Sequence, residues 1–489
     1  MTQSMTQANL SANAIAHLQS SVKRPEYDRK TLKAGIFHLG IGNFHRGHQA
    51  VYTDEVLAGS GGDWMTIGAS LFNPTTRDQL LSQDGLYSVL ARSGDQSILR
   101  IVGSIKDVLF APDNPVRLIE AMSNKDIKII SLTITEKGYL IKDKVMASMP
   151  ADASSAMGLL VAGMQLRRKL GCGPLTLVSC DNLVGNGKVL KHSLLRLAHI
   201  QDESLVNWIE TNVSFPNSMV DRMVPAPTEA LSKEVSRQLG LIDNACLGTE
   251  TFSQWVIEDK FIAGRPAWEN VGVTFSDEVH LHELMKLRLL NGAHSGMAYL
   301  GLLAGKGTIA ECITTPEISR FVNHFMREEI APQVTAPSGT STAEYISTLI
   351  ERFSNHYLEH QCQQVAMDGS QKLAQRLYGI ASERLVENQP IEGICLVVAA
   401  WILYTRGLGP SGESMTVVDP LAEQLHKLAV RYQRRPEIWI TTLLKEQGVF
   451  PNSLAQSTTF KNALTNSLSM LLSDGVLPTL AKFNARSAE

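Results

Sequence analysis

The feature that most constrains this 489-residue chain lies near its start. Residues 34–40 (AGIFHLG) form an apolar run of strand length that ends in Gly40-Ile41-Gly42-Asn43-Phe44-His45-Arg46-Gly47. Residues 48–57 then carry helical periodicity, and a Gly-Ser-Gly-Gly turn at 59–62 leads into a second apolar run at 64–71. Strand, glycine turn, helix and strand in this order read as a right-handed βαβ unit. Residues 128–135 and 175–179 are further strand candidates, with a helical pattern at 153–170 between them. The continuous β-branched run at 128–135 suits a parallel strand covered on both faces. Alternating strands and helices argue for a doubly wound α/β sheet.

The texture changes after about residue 278. Helical patterns at 281–304, 316–330, 342–356, 371–388, 391–405 and 420–432 dominate, and few β-branched runs remain. This predicts an α/β domain over 1–278 and a mostly α-helical domain over 279–489. Residues 1 to about 30 are polar and read as a loosely packed lead-in, without the basic and apolar regions of a secretory signal. The longest strongly apolar run, 394–404 (ICLVVAAWILY), is far short of the ~20 residues a membrane helix needs. Lys+Arg 45 against Asp+Glu 48 gives a net charge of -3, with none of the basic excess that nucleic-acid binding requires. A soluble cytoplasmic protein is expected.

Three groups of residues suggest chemistry. In the first, Gly40 suits the tight turn after a strand, and Gly42 would let the backbone approach a pyrophosphate resting on the helix N-terminus. The third glycine, Gly47, arrives late, and His45 holds its usual place. Asn43, Phe44 and Asn73 are further cofactor candidates. No acid follows the second strand until Asp78, which leaves NAD against NADP open and makes Arg77 a candidate 2′-phosphate partner. The second group is Asp181-Asn182, at the C-terminal end of a strand, where ligands of open α/β sheets bind. Capping of the following helix is an equal alternative for this pair.

The third group is Lys286, Asn291 and His294. At ~100° per residue they point to about 0°, 140° and 80°, with Glu283 at about 60°, on one side of an otherwise apolar helix. Such a face is costly to bury without partners, and a solvated face is the plain alternative. A buried lysine can lose its proton near neutral pH and take one from a substrate hydroxyl. An asparagine amide can donate to the alkoxide that forms. With a nicotinamide beside them, these groups suit metal-free alcohol dehydrogenation. The His45/His48 and His280/His282 pairs lack ligand-spaced partners, and the six cysteines form no C-x-x-C pair, so no metal is expected and the thiols read as free and buried.

Taken together, segments 35–55, SLTITEKGY (131–139), VSCDN (178–182), FPNSMVDRMVP (215–225), QWVIEDKFIAGRPAWE (254–269), MKLRLLNGAHSGMAYLG (285–301) and AMDGSQKLAQR (366–376) resemble the polyol-specific long-chain dehydrogenases/reductases. This is the mannitol 2-dehydrogenase and fructuronate reductase (D-mannonate oxidoreductase) family. The resemblance implies a Rossmann-type N-terminal domain, a 6-phosphogluconate dehydrogenase-like helical C-terminal domain, and an active site between them. It implies zinc-independent, NAD-dependent oxidation at C2 of a polyol or sugar acid. In the family's terms Lys286 is the general acid/base, Asn182 and Asn291 form the oxyanion hole, and His294 contacts the substrate. Asp221 and Lys372 line the polyol site, and Glu283 serves a proton path to Lys286.

The mannitol enzymes tend to read T-E-G-G-Y and to carry Arg eight residues before the D-G-S-x-K lysine. This chain has Lys137 and Gln364 at those places. An extra lysine would suit a substrate carboxylate, so D-mannonate/D-fructuronate is the favoured pair and D-mannitol/D-fructose the runner-up. Residues 69–90, however, do not resemble the enteric fructuronate enzymes. The competing class is a non-catalytic dinucleotide-binding sensor, which would have no need of the Lys286, Asn291 and Asn182 set. Neither a nucleic-acid nor a membrane partner is expected, and the chain reads as a monomer or homodimer.

Overall fold

The computed structural model describes residues 7–140 and 155–486. Six strands form an all-parallel sheet: β1 (Ala34–Leu39), β2 (Met65–Ser70), β5 (Ile105–Phe110), β6 (Ile129–Leu132), β7 (Leu175–Ser179) and β8 (Val213–Ser214). Their spatial order is β5-β2-β1-β6-β7-β8. Counting only these strands along the chain, that order is 3-2-1-4-5-6, the doubly wound arrangement of dinucleotide-binding folds. The order reverses between β1 and β6, so the crevice of such a sheet opens where Leu39 and Leu132 end.

Side-chain alternation along each strand explains why both faces are covered. Phe37 and Leu39 join Ile130 and Leu132 in a core completed by Leu118 and Met122 of α4 (Pro115–Met122), Leu160 and Met164 of α5 (Ala156–Leu170), and Leu190 and Leu194 of α6 (Asn186–Gln201). Ile36 and Ile129 turn to the opposite face and pack with Tyr52 and Val56 of α2 (Gln49–Gly59), Trp255 and Trp268. Two short helices, α1 (Asn43–Gly47) and α3 (Thr75–Leu81), follow β1 and β2.

Two small sheets flank this unit. One pairs β3 (Tyr87–Ser93) with β4 (Gln96–Val102) and β10 (Leu247–Thr249), and the other pairs β9 (Ser218–Asp221), β11 (Gln254–Ile257) and β12 (Thr274–Phe275). The lead-in is not loose over its described part. Leu10 and Val22 are buried, the Leu10 amide donates to Ile242 O at 2.8 Å, and the segment bridges to β4 through Lys23 and Arg100. A few well-placed apolar residues were enough to dock an otherwise polar stretch. The expected helix at 153–170 begins at Ala156, and its residues 153 and 154 lie outside the described residues.

The chain divides into two compact units, Met1–His280 and Leu281–Glu489. The second is helical. Its centre is helix Glu392–Tyr404, in which every residue from Gly393 to Tyr404 is buried, against helices Gly292–Leu303 and Thr458–Asp474. The 394–404 run is therefore apolar all round because it is the core of this unit. Among the described residues no helix is long and apolar enough to cross a membrane. All six cysteines are free, and only Cys172 is partly exposed.

Candidate active site

The turn after β1 separates the roles of its two glycines. The Gly40 and Ile41 amides both donate to Ala69 O, at 2.9 and 3.1 Å, which ties the turn to the end of β2. Gly40 has φ +92°, and a Cβ there would lie 2.9 Å from the Thr133 carbonyl carbon and closer still to its oxygen. Gly42 has φ -88°, is exposed, and its Cβ would meet nothing nearer than 3.8 Å. No side chain caps α1, so its first amides are left for another acceptor. An open Gly42 backbone in front of an uncapped helix fits a dinucleotide pyrophosphate.

His45, in place of a third glycine, is buried and stacked on His38 at 3.5 Å. His38 meets Ser131 Oγ at 2.7 Å and Thr133 Oγ1 at 2.9 Å, and burial pushes it down to about 3. Burial also drives His45 well below the ordinary histidine range, so both rings pack as neutral groups. Asn43 Oδ1 accepts from Arg46 Nη2 at 2.8 Å, and Phe44 stacks on His48 at 5.0 Å. Asn73 Oδ1 accepts the Thr75 amide at 2.8 Å and so shapes the loop after β2. Arg77 lies on α3. Its guanidinium is bound by the Asp78 and Asp113 carboxylates, which compete with the 2′-phosphate role. Among the described residues no cluster of three or more His, Cys, Asp and Glu side chains could hold a metal.

At the C-terminal ends of β6 and β7, Asp181 does not cap the next helix, whose N-cap is Gly185. Its carboxylate instead accepts the Ile134 and Thr135 amides, at 3.0 and 2.9 Å, and the Tyr139 hydroxyl at 2.6 Å. Burial raises its pKa. Asp181 thus fixes the segment after β6, where Thr135 takes φ +63° and the strand stops at Leu132, three residues earlier than the β-branched run suggested. Asn182 beside it is exposed. Lys137 is also exposed, on the short turn Glu136–Tyr139. Asp221 is buried at the end of β9.

In the helical unit, Glu283, Lys286 and His294 are all buried, which removes the solvated-face alternative, and Asn291 is partly buried. The stretch is not one regular helix. Val279–Met285 leads into a wide i→i+5 turn over Lys286–Asn291, and a regular helix resumes at Gly292. Uniform 100° steps therefore do not describe where Lys286 and Asn291 point. Wide turns of this kind recur at functional sites. Arg376 Nη1 donates to Ser295 Oγ at 2.9 Å and to Asn291 O at 3.3 Å, linking segment 366–376 to this turn. Lys372 Nζ donates to Val365 O at 3.3 Å, and Gln364 is exposed. Burial, then the His360, Arg376, Arg352 and Lys286 charges, hold His294 well below its ordinary pKa. Sequence reasoning missed Arg376, although it lies four residues after Lys372 in a segment already singled out.

The parallel sheet and its glycine turn define a Rossmann-type dinucleotide-binding fold. Residues 34–270 match the mannitol dehydrogenase Rossmann domain, and residues 278–472 match the mannitol dehydrogenase C-terminal domain. The chain is 39% identical to the D-mannonate oxidoreductase of Escherichia coli K12 over 94% of its own length and 98% of that protein's. It is 36% identical to a mannitol 2-dehydrogenase of Aspergillus fumigatus, over 94% and 95%. The Pseudomonas fluorescens mannitol 2-dehydrogenase, solved as a ternary complex with NAD and D-mannitol, superposes with a TM-score of 0.87 at 35% identity, covering 98% of this chain and all of that one. This chain belongs to the mannitol dehydrogenase family and is an enzyme of its oxidoreductase class.

Proposed function

We propose that this enzyme interconverts D-mannonate and D-fructuronate with NAD and without a metal. The observation that carries the reading is the burial of Lys286 with Glu283 and His294 on one helical stretch. Lys286 takes the proton of the reacting hydroxyl, and Glu283 passes it onward. Asn182 and Asn291 donate amide N–H groups to the developing alkoxide, as oxyanion-hole donors do. His294, Asp221, Lys372, Gln364 and Lys137 hold the hydroxylated chain. A nicotinamide dinucleotide held at Gly40, Gly42, Asn43, Phe44 and Asn73 supplies the hydride acceptor when bound. Pairing of Arg77 with two carboxylates supports NAD over NADP.

For the substrate, the 39% identity to a D-mannonate oxidoreductase, beside 36% to a mannitol 2-dehydrogenase, supports the sugar acid. The exposure of Lys137 favours the second reading, D-mannitol, because no buried charge there awaits a carboxylate. A panel of D-mannonate, D-mannitol, D-arabinitol and D-sorbitol with NAD and with NADP, followed at the reduced-nicotinamide absorbance band, tests the proposal. D-mannonate with NAD should give the highest kcat/KM. A preference for D-mannitol would replace the sugar acid with the polyol.

A further inference from the structure

Fourteen phenylalanines and six tryptophans lie among the described residues, and Phe72 alone of them is exposed, at 83%. A single exposed apolar side chain is ordinary on a protein surface. This one, however, stands at the edge of the sheet where ligands of doubly wound folds bind. β2 ends at Ser70, and Phe72 follows two residues later. The same strand end carries the glycine turn. Ala69 O accepts the Gly40 and Ile41 amides, and the Ile41 side chain fills the place that a Cβ on Gly68 would take.

The backbone that presents the ring is braced. Ser70 O accepts the Ala111 amide at 2.9 Å, the Ser70 hydroxyl donates to Asn73 O, and the Thr75 amide donates to Asn73 Oδ1 at 2.8 Å. Leu71 turns inward to the core that holds Phe37 and Leu39, while Phe72 turns out to solvent.

In dinucleotide-binding folds of this kind, an Asp or Glu after the second strand holds the adenosine ribose. Here no acid follows β2 until Asp78, whose carboxylate is bound to Arg77. Asn73 Oδ1 is already spent on the Thr75 amide. A bare aromatic ring thus stands where a polar hold on the adenosine half is usual. A purine base offers a flat π face, and an exposed ring is the complementary surface. We infer that Phe72 is the platform on which the adenine ring of the dinucleotide stacks, and that stacking takes over the role of the carboxylate–ribose bond. The inference rests on the NAD reading of this site and adds a residue that the motif analysis did not single out.

The test is calorimetric titration of the whole enzyme and of three variants with NAD, with ADP-ribose, and with nicotinamide mononucleotide, which lacks the adenosine. Phe72→Ala should weaken NAD and ADP-ribose about five- to a hundredfold, the range found when an aromatic platform under a base is cut to alanine. Its affinity for nicotinamide mononucleotide should stay at the wild-type value. The side chain is exposed, so its unfolding temperature should stay there too. Phe72→Tyr keeps the ring and should bind ADP-ribose within about threefold of wild type. Phe72→Leu keeps an apolar side chain without the ring and should behave like the alanine variant.

Unchanged NAD and ADP-ribose affinities in Phe72→Ala overturn the inference and leave the NAD reading standing. Wild-type affinity in Phe72→Leu reduces the ring to apolar cover and overturns stacking. An equal loss for nicotinamide mononucleotide in Phe72→Ala makes the effect a disturbance of the loop and also overturns it. A wild-type enzyme that binds neither NAD nor ADP-ribose overturns both this inference and the NAD reading.

Discussion

Alanine at Gly40 separates what the glycine turn does for the fold from what it does for the cofactor. Gly40 adopts φ +92°, a region that costs an L-residue about 1–2 kcal/mol. Its new Cβ would also press on the Thr133 carbonyl, 2.9 Å from the carbon. That carbonyl belongs to the segment hydrogen-bonded to β1 through Thr133 N and Leu39 O at 2.9 Å, so it has little freedom to retreat. Overpacking of this kind typically costs ~1–3 kcal/mol. The two effects together predict a loss of about 2–5 kcal/mol in Gly40→Ala. Gly42→Ala is the control, because φ -88° suits alanine and the nearest atom is at 3.8 Å. It should leave stability within about 1 kcal/mol and weaken NAD binding tenfold or more. Chemical denaturation followed by far-ultraviolet circular dichroism and tryptophan fluorescence, with NAD titration on the same proteins, measures both quantities. Wild-type stability in Gly40→Ala, or wild-type NAD affinity in Gly42→Ala, would refute the division of labour.

Other expectations follow from single residues. Glu329 caps helix Glu392–Tyr404, accepting the Gly393 and Ile394 amides at 2.6 and 2.9 Å, yet burial raises its pKa from the ordinary 4.5 to about 7. The native state then holds this proton more tightly than the unfolded chain does, so its contribution to stability should fall as pH rises from about 4.5 to about 7. Thermal unfolding across that window should show a flatter pH dependence in Glu329→Gln, and an identical slope would show that another group titrates. Asn182→Ala and Asn291→Ala should each lower kcat ~10²–10³-fold and raise KM less. A pure KM effect in both would make them ordinary substrate contacts. Lys137→Gly should reduce kcat/KM for D-mannonate about ten- to a hundredfold more than for D-mannitol if the lysine meets the carboxylate. Equal losses at matched ionic strength would return Lys137 to the solvated turn on which it lies.

The parallel sheet was readable because its strands are short and apolar, with turn glycines at the places where the backbone needs them. β3 and β4 were missed: Gly94-Asp95 between them is a hairpin signal, but β3 holds a single β-branched residue, Val89, and the first half of β4 is exposed, so neither shows a clean strand pattern. The role of Asp181 was not legible because its side chain-to-backbone bonds to Ile134 and Thr135 join segments distant in sequence. The Lys286–His294 stretch was found from its chemistry, although the assumed regular helix gave the wrong directions. The wide turn over Lys286–Asn291 leaves no mark in the spacing of apolar residues.

The central claim is that Lys286 is the base of a dinucleotide-dependent dehydrogenase, and its most direct test is the chemical step in Lys286→Ala. Under single-turnover conditions with saturating NAD, reduced-nicotinamide formation from D-mannonate should slow ~10²–10⁴-fold, the usual contribution of a general base. NAD affinity should stay near wild type, and small external amines should restore part of the rate. A Lys286→Ala enzyme that forms reduced nicotinamide at nearly the wild-type rate would contradict the account.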